Sequence, residues 1–388
     1  MVPVVAVGNS LNALGVVRSL GGSGIPVFAA SDTPFCAVRL SRFATFVRVP
    51  SLRDRPLVEG LKAVARQIDR RAVLILSTDR QVTAVSAARE ELEPFYTLAL
   101  PCGETVEALN DKAKFEMYAR RMSFPVPRTV ILERGSDCRQ LGELSMPVVL
   151  KFADKTLIPE DPVERPVRAE TVEQATDIAG KMFARVPVVI AQEWIEGEDD
   201  DIYFTLFVCD SESRIRGIFP GRKITCEPPR VGITAICVAA TEQHEELEDL
   251  TRQFVEQVRY VGIGGLEFKR DRRTGRFLIV EPTVGRTDWQ EEIATLCGIN
   301  IPLIAYWTAL GESGTTHTPS DVSVAWRMSA SYRCPPGALA NGTPIVDGYF
   351  RWSDPLPGIY HYVVSAFLRR GIRFGRRLTE RGWQFATR

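Results

Sequence analysis

Apolar and polar positions fall in blocks along this chain whose periods predict a regular order of strands and helices. Residues 2–8 form an almost unbroken apolar run, the pattern of a strand buried on both faces. Gly8-Asn9-Ser10 then opens a helical stretch to about Gly21, and a second strand follows at Pro26–Ala30. A helix over about 55–69 leads to the strand Ala72–Leu76. The polar run Ser77-Thr78-Asp79-Arg80 then lies at that strand's carboxyl end. Residues 1–105 are therefore expected to form a small parallel α/β domain.

The pattern changes after residue 105. Asn110 or Asp111 is placed to cap a helix reaching Met122, and Pro147–Phe152 is an apolar strand ending on Lys151. A polar, proline-rich stretch at 154–168 reads as a loop, followed by a helix over 170–184 and a strand at Val188–Gln192. Strands at Ile202–Cys209 and Ile215–Pro220, and helices over 244–260 and 288–297, complete an α+β region spanning 106–312. Residues 313–388 open like a linker and end with seven arginines, from Arg369 to Arg388, against one acid, Glu380. Such an end either packs on its own domain as a solvated helix or touches a membrane or an acidic partner.

The chemistry concentrates in two short strand-like runs, Gly264–Lys269 and Phe277–Pro282, joined by Arg-Asp-Arg-Arg-Thr-Gly-Arg. A three-residue loop of Arg273, Thr274 and Gly275 makes them a hairpin and sets Glu267 directly opposite Glu281. Two carboxylates about 5 Å apart repel by roughly 3 kcal/mol at an effective dielectric of about 20. A divalent cation between them reverses that sign, and carboxylate oxygens without nearby His or Cys suit Mg²⁺ or Mn²⁺. The competing expectation is a solvated hairpin whose acids pair with Lys269 and neighbouring arginines.

Composition narrows the field. In 388 residues, 45% hydrophobic and 25% charged, two or three globular domains are expected. Basic and acidic residues balance at 48 each, so charge argues for no nucleic-acid partner. The eight cysteines are dispersed, which suits a reducing cytoplasm. The start of the chain lacks a signal-peptide pattern, and no apolar stretch approaches a membrane span. The first turn lacks a full Gly-x-Gly-x-x-Gly, so a nicotinamide-dependent oxidoreductase is a weak reading.

Lys112, Lys151, the run Gln192-Glu193-Trp194-Ile195-Glu196-Gly197, and then Glu267 and Glu281, in that order and at these gaps, resemble the ATP-grasp superfamily. Within it the chain is most similar to ATP-dependent carboxylate–amine ligases of the D-aspartate ligase-like and D-alanine–D-alanine ligase-like kind. The resemblance implies an ATP-grasp fold of two α+β lobes clasping ATP, preceded by a small Rossmann-like parallel α/β domain. The lobes would be 106–190 and 191–312, with 313–388 a C-terminal extension. Lys112 and Lys151 would meet the phosphates, the backbone of Gln192, Glu193, Trp194 and Ile195 the adenine edge, and Asp199 the ribose. The loop at 154–168 would close over the phosphates. Glu267, Glu281 and Thr283 would hold Mg²⁺. Arg222, Lys223 and Arg286, with Arg230 behind them, are the candidates for the anionic substrate and developing oxyanion.

Two departures from the family pattern stand out. Thr283 occupies the position of the usual asparagine two residues after the second glutamate, and Gly265 that of an arginine two residues before the first. Arg286 also lies one residue later than the family spacing. The implied activity is amide formation between a carboxylate and an amine through an acyl-phosphate, with ADP and phosphate released. The alternative is an ATP-binding protein of the same fold without turnover. The expected partners are small-molecule acids and amines; the superfamily often dimerises, which makes a homodimer one assembly the resemblance allows.

Overall fold

The computed structural model describes residues 1–135, 138–153, 166–312 and 324–364. Most of the expected phosphate loop (154–165), the linker-like stretch 313–323 and the arginine-rich end (365–388) lie outside the described residues. The chain opens with five parallel strands: β1 (Val4–Val7), β2 (Val27–Ser31), β3 (Thr45–Arg48), β4 (Ala72–Ile75) and β5 (Tyr96–Leu98). Their order is β3-β2-β1-β4-β5, so the chain reverses direction across the sheet between β1 and β4. In parallel sheets the crevice at such a point faces ligands. Val5, Val7 and Leu74 enter one core and Val4, Ala6, Val73 and Ile75 the other, which explains why every residue of β1 is buried. Gly8 closes the crevice tightly; at φ 144° a Cβ there would meet the Ser77 hydroxyl at 2.3 Å.

Four further strands form an antiparallel sheet of order β6-β9-β7-β8: β6 (Thr129–Glu133), β7 (Val148–Phe152), β8 (Val167–Ala169) and β9 (Val188–Glu193). This lobe has its own core around Leu132, Leu150, Ala179 and Val189, separate from the rest of the molecule. A separate core is what allows a lobe to move as a unit over a ligand.

The third sheet has seven strands in the order β14-β13-β10-β11-β12-β15-β16. They are β10 (Ile202–Cys209), β11 (Ile215–Glu227), β12 (Ile233–Ala239), β13 (Gly262–Arg270), β14 (Phe277–Val284), β15 (Ala325–Arg327) and β16 (Ile345–Asp347). Tyr203 and Phe207 on one face share a core with the helix His244–Val258, while Phe204 and Leu206 on the other share one with the first helix, Leu11–Gly21. This lobe and the N-terminal domain thus have cores in common. The sheet continues past residue 312, because β15 pairs with β12 through Cys237 and Trp326.

Three expectations change. The strand foreseen at Ile215–Pro220 runs on to Glu227, and the helix foreseen over 288–297 is only Glu292–Leu296. Strands β3, β5, β6, β8, β12, β15 and β16 were not foreseen, and β8 begins inside the stretch 154–168 expected to be a loop. No helix among the described residues is long and apolar enough to cross a membrane.

One buried ion pair ties the C-terminal segment to the first helix. Arg18 donates to Asp354 at 3.0 Å and to the carbonyls of Gly348 and Tyr349, both at 2.7 Å. Asp354 also accepts from the Ser41 hydroxyl and the Arg42 amide. Breaking such a pair strands a buried charge and typically costs about 3–5 kcal/mol. Asp354→Ala should lower unfolding stability by that order in urea titration. A loss below about 1 kcal/mol would show that the pair does not hold the segment.

Candidate functional site

The two glutamates stand where the hairpin expectation puts them, but by a different route. The connection is one residue longer than expected: Asp271 donates to the Arg276 carbonyl at 2.9 Å, enclosing Arg272–Gly275. Near the turn Arg270 pairs with Phe277 and Phe268 with Ile279, a register that would set Glu267 opposite Val280. A one-residue slip of this kind sends every later side chain to the wrong face. A β-bulge absorbs Val280, and beyond it Glu267 pairs with Glu281 and Gly265 with Thr283. The turn and the bulge cancel, so both carboxylates and Thr283 share one face.

Each glutamate has a lysine against it. Lys223, buried in β11, donates to Glu267 at 2.6 Å, and Lys112 reaches Glu281 at 3.3 Å. Burial alone depresses an ammonium's pKa, but Glu267 outweighs it and the pKa of Lys223 is raised. Lys112 is the first residue of the helix Lys112–Arg121, which Asp111 caps by accepting from the Lys114 amide at 2.9 Å. The expectation that Lys269 and arginines would pair with these acids is corrected here: among the described residues, Lys223 and Lys112 take that part.

Lys112, Lys151, Gln192, Glu193, Trp194, Ile195, Glu267 and Glu281 line one open cleft between the two lobes. Lys151 is the last residue but one of β7 and donates to Gln192 at 2.9 Å, and Gln192 donates in turn to Thr129. The N–H groups of Glu193 and Trp194 are bonded to the carbonyls of Arg128 and Pro147. Those two groups are therefore already committed within the protein.

Of the remaining candidates, Arg230 also lines this cleft, paired with Glu198 at 2.6 Å, and the others lie elsewhere. Arg222 is on the opposite face of the sheet from Lys223, paired with Asp200 at 3.0 Å and 5.8 Å from the Tyr203 ring centre. It is not part of the glutamate cluster. The Asp199 carboxylate accepts from the backbone amides of Cys226 and Arg230 and so fixes the end of β11. Arg286 stands at the junction with the N-terminal domain, bonded to Asp79 and 3.5 Å from Asp288. Burial lowers its pKa, and Asp79 with Asp288 more than restores it, so it stays charged. Asn12 closes the junction by donating to the carbonyls of Ser77 and Thr287.

Sequence reasoning missed one residue of the cleft. Lys269 follows Glu267 by two positions on β13, on the same face, and is only 6% exposed. Its ammonium lies 4.7 Å from the centre of the Trp194 ring, and Arg168 lies 4.8 Å from the same centre. Among the described residues Lys269 has no hydrogen-bonding or ion-pair partner. The lysine two residues after Glu267 was the available signal, read as a surface partner because alternation alone does not show what covers a face.

The donor set fits a hard divalent cation, with two opposed carboxylates and a hydroxyl on one face. No group of three or more His, Cys, Asp or Glu among the described residues offers a rival site.

No protein-family profile matches the chain. It is similar to the D-aspartate ligase of Enterococcus faecium, 22% identical over 314 residues that cover 76% of this chain and 74% of that one. Among solved structures it resembles the N5-carboxyaminoimidazole synthetase of Staphylococcus aureus complexed with ADP. That match has a TM-score of 0.63 at 13% identity, over 80% of this chain and 78% of that one. The biotin carboxylase domain of Hydrogenobacter thermophilus 2-oxoglutarate carboxylase, a dimer in complex with MgADP, matches with a TM-score of 0.61 at 18% identity. There the coverage is 80% of this chain and 70% of that one. These likenesses show that the fold is ATP-grasp.

If the lysines hold the acidic pair together, removing one should expose the repulsion. Lys223→Met should lower the stability of the metal-free protein by about 2 kcal/mol, the scale of one close charge pair. Mg²⁺ should restore part of that loss while changing the unaltered protein little. Thermal melts with and without Mg²⁺ check this, and equal responses in both proteins would contradict it.

Proposed function

We propose that this ATP-grasp protein is an ATP-dependent ligase that joins a carboxylate to an amine. The observation that carries the reading is the cleft itself. A pair of opposed glutamates lies beside three lysines and an aromatic wall, between a lobe with its own core and a lobe that shares its cores with the N-terminal domain. The likeness to a D-aspartate ligase and to nucleotide-complexed synthetases supports it.

In this reading the nucleotide enters with its base near Trp194 and its phosphates toward Glu267. Mg²⁺ held by Glu267 and Glu281, with Thr283 as a further oxygen, would neutralise charge on the β- and γ-phosphates. Lys151 and Lys112 act as compact positive charges along the same phosphates. Lys223, which donates to Glu267 at 2.6 Å, is the buried cation that would face the transferred phosphoryl group or the substrate. An oxygen of the acceptor carboxylate attacks the γ-phosphorus and ADP leaves, giving an acyl-phosphate. The amine then attacks the carbonyl carbon, phosphate departs, and the amine loses a proton. Water must be kept out while the acyl-phosphate exists, which suits a mobile lobe. Arg286 is the cation placed to hold an anionic substrate at the domain junction, with Asp79 and Asp288 fixing its orientation. The acceptor class proposed is an amino acid or a similar small carboxylate, with D-aspartate first among the probes.

Two outcomes test the reading. Mg-ATP with pooled carboxylates and amines should give ADP release that depends on both, and Glu281→Ala should lower it by at least about a thousandfold while the protein stays folded. Nucleotide binding without turnover for any pool would instead favour the alternative of a binding protein. Lys269→Met should weaken ADP binding by roughly tenfold or more, the scale of one charge-assisted hydrogen bond. Calorimetric titration reads this directly, and unchanged affinity would remove Lys269 from the nucleotide site.

A further inference from the structure

Eleven large apolar side chains are exposed among the described residues, and their distribution is uneven. Five of them, Trp352, Leu356, Ile359, Val363 and Val364, belong to the last thirteen described residues. A sixth, Phe35, is joined to these by a hydrogen bond from the Tyr360 hydroxyl to its carbonyl at 2.8 Å. Scattered exposed apolar residues are ordinary on a soluble protein, but a contiguous group marks an interaction site.

The local fold explains the exposure. The helix Leu356–Ile359 buries Pro357 and Gly358, and a Cβ at Gly358 would meet Phe350 at 2.8 Å. With that side packed, Leu356 and Ile359 face outward. Trp352 sets its ring edge-on to Phe350 and remains 90% exposed. Tyr349 stacks on His361 at 3.6 Å, which fixes the turn that carries Val363 and Val364. The apolar side chains are therefore presented by a firmly anchored scaffold.

The rim of this group is basic. Arg39 lies 5.9 Å from the Phe35 ring centre, and both Arg39 and Arg42 are exposed. The nearby acid Asp354 is buried and occupied by Arg18, Ser41 and the Arg42 amide. By sequence, the residues that follow Val364 continue the theme with Phe367, Leu368, Phe374 and Trp383 among seven arginines and one acid.

We propose that this face docks the protein on an anionic lipid surface. Trp, Phe and Leu suit the boundary between headgroups and acyl chains, and arginines at its edge meet anionic headgroups. A second copy of the chain is a poorer occupant, because two basic rims would face each other. With no helix among the described residues able to span a bilayer, the contact lies on the membrane rather than across it.

The test is co-sedimentation of the full chain with mixed phosphatidylglycerol–phosphatidylcholine vesicles and with phosphatidylcholine vesicles alone. Binding to the mixed vesicles should exceed binding to the neutral ones by at least about tenfold, and added salt should release it. Trp352→Ala with Ile359→Ser should lower partition by about tenfold or more with ADP binding unchanged, so that a folding defect is distinguished. Arg39→Gln with Arg42→Gln should weaken partition and flatten its salt dependence. Equal partition to both vesicle types, or none, overturns the proposal. So does full binding by the Trp352→Ala/Ile359→Ser variant, which would assign the attraction to the residues after 364 alone. A concentration-dependent dimer that those two substitutions abolish, without lipid binding, would make a second copy the occupant instead.

Discussion

The repulsion between Glu267 and Glu281 is the constraint around which the large lobe is arranged. Two carboxylates directly opposite on neighbouring strands oppose the folding of the hairpin that carries them. The structure answers with two ammonium groups, Lys223 from β11 and Lys112 from the start of a helix before the small lobe's sheet. Each acid is thus paired with a cation from a different part of the chain. The cost of holding them together is met before any ligand arrives. A divalent cation held by the pair would have to compete with these lysines rather than relieve an unopposed repulsion. It would also free two positive charges beside the place where phosphates would lie.

That arrangement connects the rest of the architecture to the site. Lys112 bridges to Glu281 from a helix whose first amide is bonded to Ala153 at the end of the β7 segment. The pair is therefore sensitive to where the small lobe stands. Arg286 links the same region to Asp79 of the N-terminal domain, at the crevice where β1 and β4 diverge. The two lobes line the cleft, and the N-terminal domain is tied to the end of the hairpin through Arg286. The lobe with a separate core is the one that can change its distance from the other two.

Much of this was legible in the residues, for identifiable reasons. The fully buried β1, the helices Leu11–Gly21 and Asp54–Ile68 and the strand Ile202–Cys209 have strong periods, and the structure follows them closely. The opposition of the glutamates was legible only through compensation, since the longer turn and the bulge at Val280 cancel. Lys223 was harder to place, because Pro220-Gly221 reads as a break. In the structure β11 runs through it, and Gly221 is there because the Phe204 ring occupies the space of a side chain, 2.2 Å from any added Cβ. Arg222 and Lys223 adjoin in sequence but point to opposite faces, a distinction that depends on a strand the pattern did not reveal. Lys269 was misread for the same reason: nothing local shows that Trp194 covers it.

The central claim is that Glu267 and Glu281 together hold a divalent cation when a nucleotide is present. Electron paramagnetic resonance of Mn²⁺, titrated into the protein with and without ADP, tests it most directly. The account predicts tight Mn²⁺ binding only with the nucleotide, and its loss in both Glu267→Gln and Glu281→Gln. Nucleotide-dependent Mn²⁺ binding that survives both substitutions would contradict it.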